Sequence, residues 1–255
     1  MRRPWTCVLL LAGCASPPAL DESKLVDLTY PFNDQTVYWP TARKFELEQV
    51  AYGRNADGDW YASNDFCASE HGGTHLDAPL HFAEGGRATA DVPLAQLVGP
   101  ARVIDIRRRC EVDPDYLLHP RDIERHEALY GPIEPGSIVL VRTGWSRFYP
   151  DTKRYLGSDA RGSARALSFP GIGAAAARRL VARGVDLVGI DTASLDRGLS
   201  TTFATHRVLS QADIPGLENV ANLHKLPPRG SLVIALPMKI AGGTGGPCRI
   251  VAVLP

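Results

Sequence analysis

Short apolar stretches recur along the chain between segments rich in glycine and proline. Seven of them predict β-strands, at residues 25–29, 45–52, 102–106, 137–143, 186–191, 231–236 and 249–254. Residues 138–141 and 232–236 are unbroken apolar runs, a pattern typical of strands buried on both faces.

Helical patterns lie between these stretches, at residues 120–129, 172–183 and 205–212. The second is rich in Ala and Leu, places Arg178, Arg179 and Arg183 on its polar side, and has Gly184 as a stop. Strands mixed with helices predict an α/β fold. Because no linker divides residues 24–255, we expect a single domain with a mixed, largely buried β-sheet core flanked by helices.

Composition narrows the functional classes. The 255 residues contain 28 Lys and Arg against 28 Asp and Glu, so no basic excess favours a nucleic-acid partner. The densest basic run, Arg107 to Arg109, follows a predicted strand, and we expect it to be a solvated strand end. Outside the first 20 residues no apolar run approaches the roughly 18 residues of a membrane-spanning helix.

The N-terminus has the features of a bacterial export signal. Arg2 and Arg3 precede a short apolar stretch that ends in Leu11-Ala12-Gly13-Cys14, which resembles a lipoprotein signal. We therefore expect residues 1–23 to be a signal peptide and tether, with a lipid anchor at Cys14 and the protein on the periplasmic face of a bacterial membrane. The alternative is a short disordered start. If the leader is not processed, we expect a cytoplasmic protein. Processing would leave 26 basic against 28 acidic side chains, a formal charge of −2.

The five cysteines, Cys7, Cys14, Cys67, Cys110 and Cys248, have no metal-site or nucleophile spacing. We expect the last three to be structural. A disulfide between two of them would suit an oxidising periplasm, but the sequence does not select a pair.

Three of the seven histidines and one aspartate lie within residues 71–81. Imidazole and carboxylate groups bind Zn²⁺, Mn²⁺ or Fe²⁺. In an extended segment His75 and Asp77 share a face, and Gly72 and Gly73 allow a bend that brings His71 to the same point. Pro79 separates His81 from them, which suggests another role. A loop whose histidines only form hydrogen bonds is the weaker alternative.

This segment, His71-x-Gly73-Thr74-His75-x-Asp77-x-Pro79-x-His81-Phe82, resembles the signature of the bacterial cyclase family of metal-dependent hydrolases, which includes kynurenine formamidases and isatin hydrolases. Further matches cover nearly all of residues 24–255: 26–29 with 38–40, 189–196, 206–220 and 237–240. The resemblance implies the family's swivelling β/β/α fold and a homodimer or larger homo-oligomer.

The resemblance also implies residue roles. The metal ligands would be His71, His75, Asp77, His206 and Glu218, with Asp77 bridging if two ions of Zn or Mn bind, and His81 would be the catalytic histidine. From the residues alone, His206 ranks no higher than His119, His126 or His224, and Glu218 is an ordinary loop carboxylate.

The expected reaction is hydrolysis. A bound divalent ion lowers the pKa of its water to about 7 and polarises a carbonyl, so the hydroxide would attack an amide while His81 moves a proton. The resemblance implies an aryl amide: N-formylkynurenine, as in the arylformamidase step of tryptophan catabolism, or an isatin-like cyclic amide. A lactone or ester hydrolase of the same family, and a periplasmic metal-binding lipoprotein without catalysis, are the alternatives.

Five aromatic residues precede the motif and can line a ring-sized pocket or pack in the core: Tyr38, Trp39, Trp60, Tyr61 and Phe66. Residues 242–246 are glycine-rich but lack the Gly-Lys-Ser/Thr of a P-loop, and we expect a flexible loop near the site. No Gly-x-Ser-x-Gly elbow is present, which disfavours a serine hydrolase.

Overall fold

A computed structural model describes residues 21–255, and the predicted leader lies outside these residues apart from the last three positions of the tether. Within this range the chain forms twelve strands: β1 (Leu25–Asp27), β2 (Glu46–Arg54), β3 (Trp60–Cys67), β4 (His75–Asp77), β5 (Val98–Asp105), β6 (Leu117–Leu118), β7 (Ile138–Arg142), β8 (Gly171–Ile172), β9 (Leu187–Ile190), β10 (Gly216–Glu218), β11 (Arg229–Pro237) and β12 (Gly245–Val253).

The same residues form six α-helices: α1 (Leu94–Leu97), α2 (Arg107–Val112), α3 (Pro120–Tyr130), α4 (Thr152–Leu156), α5 (Ala174–Ala182) and α6 (Ala204–Gln211). Short 3-10 helices lie at Glu22–Lys24, Pro79–His81, Thr89–Asp91, Trp145–Phe148 and Leu223–Lys225. No helix in the described part of the chain is long and apolar enough to cross a membrane.

Eight strands form one mixed sheet in the order β1-β12-β11-β5-β7-β9-β10-β4. The sheet closes on itself, since β4 pairs with β10 along one edge and with the first residues of β12 along the other. The centre, β5-β7-β9-β10, is parallel, and the remaining pairs are antiparallel. This barrel-like sheet flanked by helices confirms the predicted α/β fold with a mixed sheet.

Apolar side chains fill both sides of the parallel strands. Leu140 and Leu187 lie with the cluster inside the barrel, while Val139 and Val188 pack with the cluster that includes residues of α3, α5 and α6. Every residue of β9 and the first four of β7 are buried, so the double-sided burial predicted for residues 138–141 is confirmed.

The same prediction for residues 232–236 is wrong. β11 alternates, with Val233 and Ala235 buried and Leu232 and Leu236 41% and 45% exposed. Among residues 21–255, no element buries these two leucines. The predicted helix at 172–183 is also shorter than expected, because Ile172 pairs in β8 and the helix begins at Ala174. It ends before Gly184, whose φ of 69° suits a stop.

A hairpin of β2 and β3 stands apart from the barrel and pairs only with itself. Neither of its strands contains a buried residue. Apolar side chains nevertheless occupy its surface, and those more than half exposed are Leu47, Val50, Tyr52, Trp60, Tyr61 and Phe66.

The three described cysteines are free thiols, with Cys67 exposed and Cys110 and Cys248 buried. Burial raises the pKa of Cys110 to about 12, which makes its thiol unreactive at neutral pH. Burial suits the structural role expected for Cys110 and Cys248.

Candidate active site

The histidine-rich segment lies where the barrel closes. β4 carries His75 and Asp77 and pairs with β10 and β12 in a register that places Glu218 opposite His75. Leu76 points the other way, into the barrel core. Strand alternation therefore presents His75, Asp77 and Glu218 on one face, as predicted for the first two.

His71 reaches this face through the bend at Gly73, whose φ is 57°. Its Nδ1 lies 2.7 Å from Asp77 Oδ1. On the other side of the ring, Nε2 lies 2.9 Å from the Thr244 hydroxyl, which donates to Glu70 at 2.6 Å. Because that hydroxyl proton is used on Glu70, the Thr244 oxygen accepts from His71 Nε2–H, and Nδ1 is the ring nitrogen that faces Asp77.

His206 lies on α6, far from the histidine-rich segment in the sequence. Its Nε2 lies 2.9 Å from Glu218 Oε1 and 3.2 Å from Asp77 Oδ2. Its Nδ1 lies 2.7 Å from Asp196 Oδ2. The Asp196 carboxylate thus fixes the tautomer and aims Nε2 at the other two carboxylates.

His75 repeats this arrangement. Its Nδ1 donates to the Gly73 carbonyl oxygen at 2.9 Å. That leaves Nε2 facing Asp77 Oδ1 at 3.2 Å and Glu218 Oε2 at 3.5 Å. In all three histidines an outer partner holds one nitrogen and the other faces carboxylate oxygens.

His81 ends the 3-10 helix Pro79–His81. Its ring stacks on His71, with centroids 3.8 Å apart and planes 19° from parallel. Two groups of side chains place their ligand atoms within 4.8 Å of one another: His71, Asp77 and His81, and His75, Asp77 and Glu218. Asp77 belongs to both, and its two oxygens face different histidines.

The donor set fits a divalent cation. Nitrogens of three imidazoles lie 2.7–3.5 Å from the oxygens of two carboxylates, an arrangement that requires a proton or a metal ion between them. Among the described residues, His75 Nε2 and Asp77 Oδ2 are buried without a hydrogen-bond partner, although both lie within 3.2 Å of another ligand atom. Bound protons or a metal ion can satisfy such atoms, and nitrogen and carboxylate ligands together suit Zn²⁺ or Mn²⁺.

The pKa values show the same demand for cations. Burial alone would lower the pKa of His75, but the Asp77 carboxylate raises it to about 9. Burial also opposes ionisation of Asp77, yet hydrogen bonds from His206 and His71 hold its pKa well below the usual range. Burial, then the Asp77 charge, raises the pKa of Glu218. His81 behaves differently, since burial and the neighbouring histidines lower its pKa to about 4, so its ring is neutral at pH 7.

The other three histidines lie elsewhere. His119 and His224 are exposed, and His126 is buried on α3. Only tertiary contacts therefore separate His206 from these three, which look similar to it in the sequence.

A cavity of about 210 Å³ opens onto the histidines. Of the five aromatic residues considered from the sequence, only Trp39 lines it. Tyr38 is buried and packs over Gly72, which is the core alternative. Trp60, Tyr61 and Phe66 belong to the exposed hairpin, which corrects the expectation for these three.

Sequence analysis missed two aromatic residues that do line this cavity, Phe82 and Phe203. Phe82 directly follows His81, a signal that could have found it. Phe203 has a left-handed backbone (φ 49°) just before α6, which nothing in the sequence marks.

Sequence analysis also gave no role to Asp196, Thr244 or Glu70, the residues that hold the outer nitrogens of His206 and His71. The expected flexible loop is partly wrong, because Gly245 and Gly246 begin β12 and pair with Asp77 and Leu76.

Comparison with known proteins gives a consistent result. The Cyclase family model matches residues 26–197. The isatin hydrolase of Roseibium aggregatum is 35% identical over 219 residues, which cover 83% of this chain and 82% of that protein. The kynurenine formamidase of Salinibacter ruber is 31% identical over 228 residues, with 89% and 96% covered.

Solved structures agree with these relatives. An isatin hydrolase bound to the product analogue thioisatinate has a TM-score of 0.81 at 30% identity, covering 91% of this chain and 92% of the other. A protein from Bacillus stearothermophilus, described as a predicted metal-dependent hydrolase, has a TM-score of 0.66 at 26% identity, with 90% and 97% covered.

Proposed function

This chain belongs to the Cyclase family of metal-dependent hydrolases, and we propose that it cleaves the carbon–nitrogen bond of an aryl amide. One observation carries the proposal: nitrogen and oxygen ligands from three segments, residues 71–77, α6 and β10, converge around the carboxylate of Asp77. The residues that would hold one or two Zn²⁺ or Mn²⁺ ions are His71, His75, Asp77, His206 and Glu218. Such an ion supplies Lewis acidity for the carbonyl and makes water nucleophilic near neutral pH.

His81 is suited to proton transfer. Its ring is neutral at pH 7, since its pKa is lowered to about 4, and it lines the cavity beside His71. A neutral imidazole accepts a proton from the attacking water and can return it to the leaving nitrogen. Stacking on His71 fixes the plane of the His81 ring.

The cavity favours a small aromatic substrate. Its volume of about 210 Å³ is below the usual range for drug-sized ligands, roughly 300–1,000 Å³. Trp39, Phe82 and Phe203 surround it, with Phe82 and Phe203 5.4 Å apart between centroids. At this distance Phe82 and Phe203 pack on each other, so together with Trp39 they form an aromatic wall against which a substrate ring can pack. We place an isatin-like cyclic amide first, because the isatin hydrolase relative is 35% identical, and N-formylkynurenine second, at 31% for the formamidase.

One assay tests the reaction. Metal-loaded protein is incubated with isatin, N-formylkynurenine and a simple aryl lactone, and absorbance is followed with and without EDTA. We expect turnover of an amide that EDTA abolishes and Mn²⁺ or Zn²⁺ restores. Hydrolysis of the lactone alone would make this an esterase. Metal binding without any turnover would instead favour the metal-binding lipoprotein.

Two variants separate the roles. Asp77→Ala removes the carboxylate shared by both ligand groups, so metal content and activity are expected to fall together. His81→Ala is expected to keep its metal and lose about 10²- to 10⁴-fold in kcat, the usual contribution of a positioned acid–base group. Because His81 lies within ligand distance of His71 and Asp77, loss of metal from His81→Ala would make it a ligand.

We also propose that the chain assembles as a homodimer through the β2–β3 hairpin. An isolated two-stranded hairpin is marginal in water, and contiguous exposed apolar surface usually marks an interaction site. The double variant Trp60→Ser, Phe66→Ser is expected to elute as a monomer in light-scattering chromatography. An unchanged mass would exclude the hairpin as the interface.

Export as a lipoprotein remains our proposal for localisation. It predicts that the full-length protein expressed in a bacterium sediments with membranes and that Cys14→Ser releases it. Equal membrane association of both forms would contradict lipidation at Cys14.

A further inference from the structure

A second cavity, of about 350 Å³, lies between α3 and the segment that leaves β5. It shares no lining residue with the active-site cavity. Its walls include the end of β5, the start of α2, and α3. The three adjacent arginines that we expected to be a solvated strand end belong to this wall.

Basic side chains dominate the cavity, since four of its lining residues are Arg107, Arg108, Arg109 and Arg125. Arg107 is bound to Asp105, with its Nη2 2.8 Å from Oδ2. Among the described residues, the guanidinium groups of Arg108, Arg109 and Arg125 form no ion pair or hydrogen bond. Three uncompensated cations therefore remain at the cavity.

The two acidic residues of the wall do not neutralise these cations. Asp105 accepts hydrogen bonds from Arg107 and also lies 3.5 Å from Arg142. Asp122 accepts from the Tyr116 hydroxyl at 2.8 Å and from the His119 backbone N–H at 2.9 Å. Both carboxylates are thus used within the fold.

His126 supplies an independent sign of a ligand. It lines the cavity and is only 4% exposed, and its Nε2 is buried with no hydrogen-bond partner among the described residues. Buried polar atoms in folded proteins nearly always have a partner. Burial, together with the nearby Arg102 guanidinium, lowers the pKa of His126 to about 4, so the neutral ring can donate through an Nε2–H.

We propose that this cavity is a second ligand site, which binds a small anion with a phosphate or carboxylate group through Arg108, Arg109, Arg125 and His126. Charge-assisted bonds from guanidinium groups are the usual means of holding such oxyanions. The cavity volume lies in the range of small-molecule sites. A bound anion would give the unpartnered N–H of His126 an acceptor.

The test uses the purified protein at constant ionic strength. Inorganic phosphate, a phosphomonoester (glycerol phosphate) and a carboxylate (benzoate) are titrated separately, and binding is followed by calorimetry and by the histidine ring resonances in NMR. We expect at least one anion to bind and to shift the His126 resonances, assigned from their loss in His126→Gln, while those of the exposed His224 stay in place. The anion that binds identifies the group recognised.

Variants make the test specific. Removing one charge-assisted contact costs about 1.5–3 kcal/mol, so Arg109→Gln and Arg125→Gln are each expected to weaken binding at least about tenfold. Arg165→Gln removes an exposed arginine outside the cavity and is expected to bind like the wild type. The proposal is overturned if none of the three anions binds, or if all three arginine variants lose affinity equally, as non-specific attraction would require.

Discussion

A single methyl group at Gly245 tests how His71 is held. Gly245 opens β12 and pairs with Asp77. A Cβ at this position would lie 2.5 Å from His71 Cε1 and 2.7 Å from the Leu76 carbonyl oxygen, whereas ordinary contacts begin at 3.4 Å. Both contacts are too short, so β12 must shift away from the Leu76 carbonyl oxygen and the imidazole must move by about 0.9 Å to reach an ordinary contact.

Such a movement breaks the 2.7 Å approach of His71 Nδ1 to Asp77. A misplacement of about 1 Å can cost about 10²-fold in rate. We therefore expect Gly245→Ala to lower kcat/KM by about 10- to 100-fold and to reduce metal affinity. Overpacking also costs roughly 1–3 kcal/mol of stability.

Gly246→Ala is the matched control, because it adds the same methyl group one residue later in the same strand. Its Cβ would meet Met238 O at 3.1 Å and no histidine. Activity with the best amide substrate, metal content and Tm are measured for both variants. We expect both to lose stability and only Gly245→Ala to lose activity. Full activity in Gly245→Ala, or an equal loss in both, would refute this account of His71.

The remaining predictions concern one positioning residue, one buried histidine and the sheet surface. Asp196→Ala is expected to weaken metal affinity about 10- to 100-fold, as is typical when the partner of a ligand histidine is lost. Asp196→Asn is expected to restore part of this affinity, because its amide oxygen can accept from His206. Equal affinities of the wild type and Asp196→Ala in a metal titration would contradict this role. The pKa of His126 is lowered from 6.5 to about 4 in the fold, so the unfolded chain binds this proton first and stability falls as pH drops from about 6.5 to 4. His126→Gln should remove this contribution, at most about 3 kcal/mol, from denaturation curves measured across that range. Leu236→Thr on the exposed face of β11 should change the unfolding free energy by less than about 0.5 kcal/mol, whereas Leu140→Ala in the barrel core should cost about 2–5 kcal/mol.

Local pattern was sufficient for much of the fold. β7 and β9 follow from apolar runs, because a strand buried on both faces needs apolar side chains at successive positions. The second half of β5 follows from the predicted strand at residues 102–106. The helix α5 and its stop at Gly184 follow from periodicity and from the left-handed conformation that glycine allows. His75 and Asp77 could be placed on one face because strand alternation is a property of the backbone itself.

Other elements carry no such signal. β4 and β10 have three residues each, too few for a periodic pattern, yet their pairing places Glu218 opposite His75. Leu232 and Leu236 are as apolar as the residues of β7, but they stay exposed in the described part of the chain. Exposure depends on what packs against a strand, which its own residues do not specify.

The sequence by itself determined three of the four strands of the barrel centre, β5, β7 and β9, and, through the resemblance, the five residues expected to hold metal. The tertiary structure decided which of several similar residues face one another. His206 and His126 both lie on helices, but only His206, on α6, contacts Asp77. Trp39 lines the active-site cavity, whereas Trp60 lies in an exposed hairpin. Contacts between residues far apart in the chain depend on sheet register and helix docking, which the packing of the whole core sets.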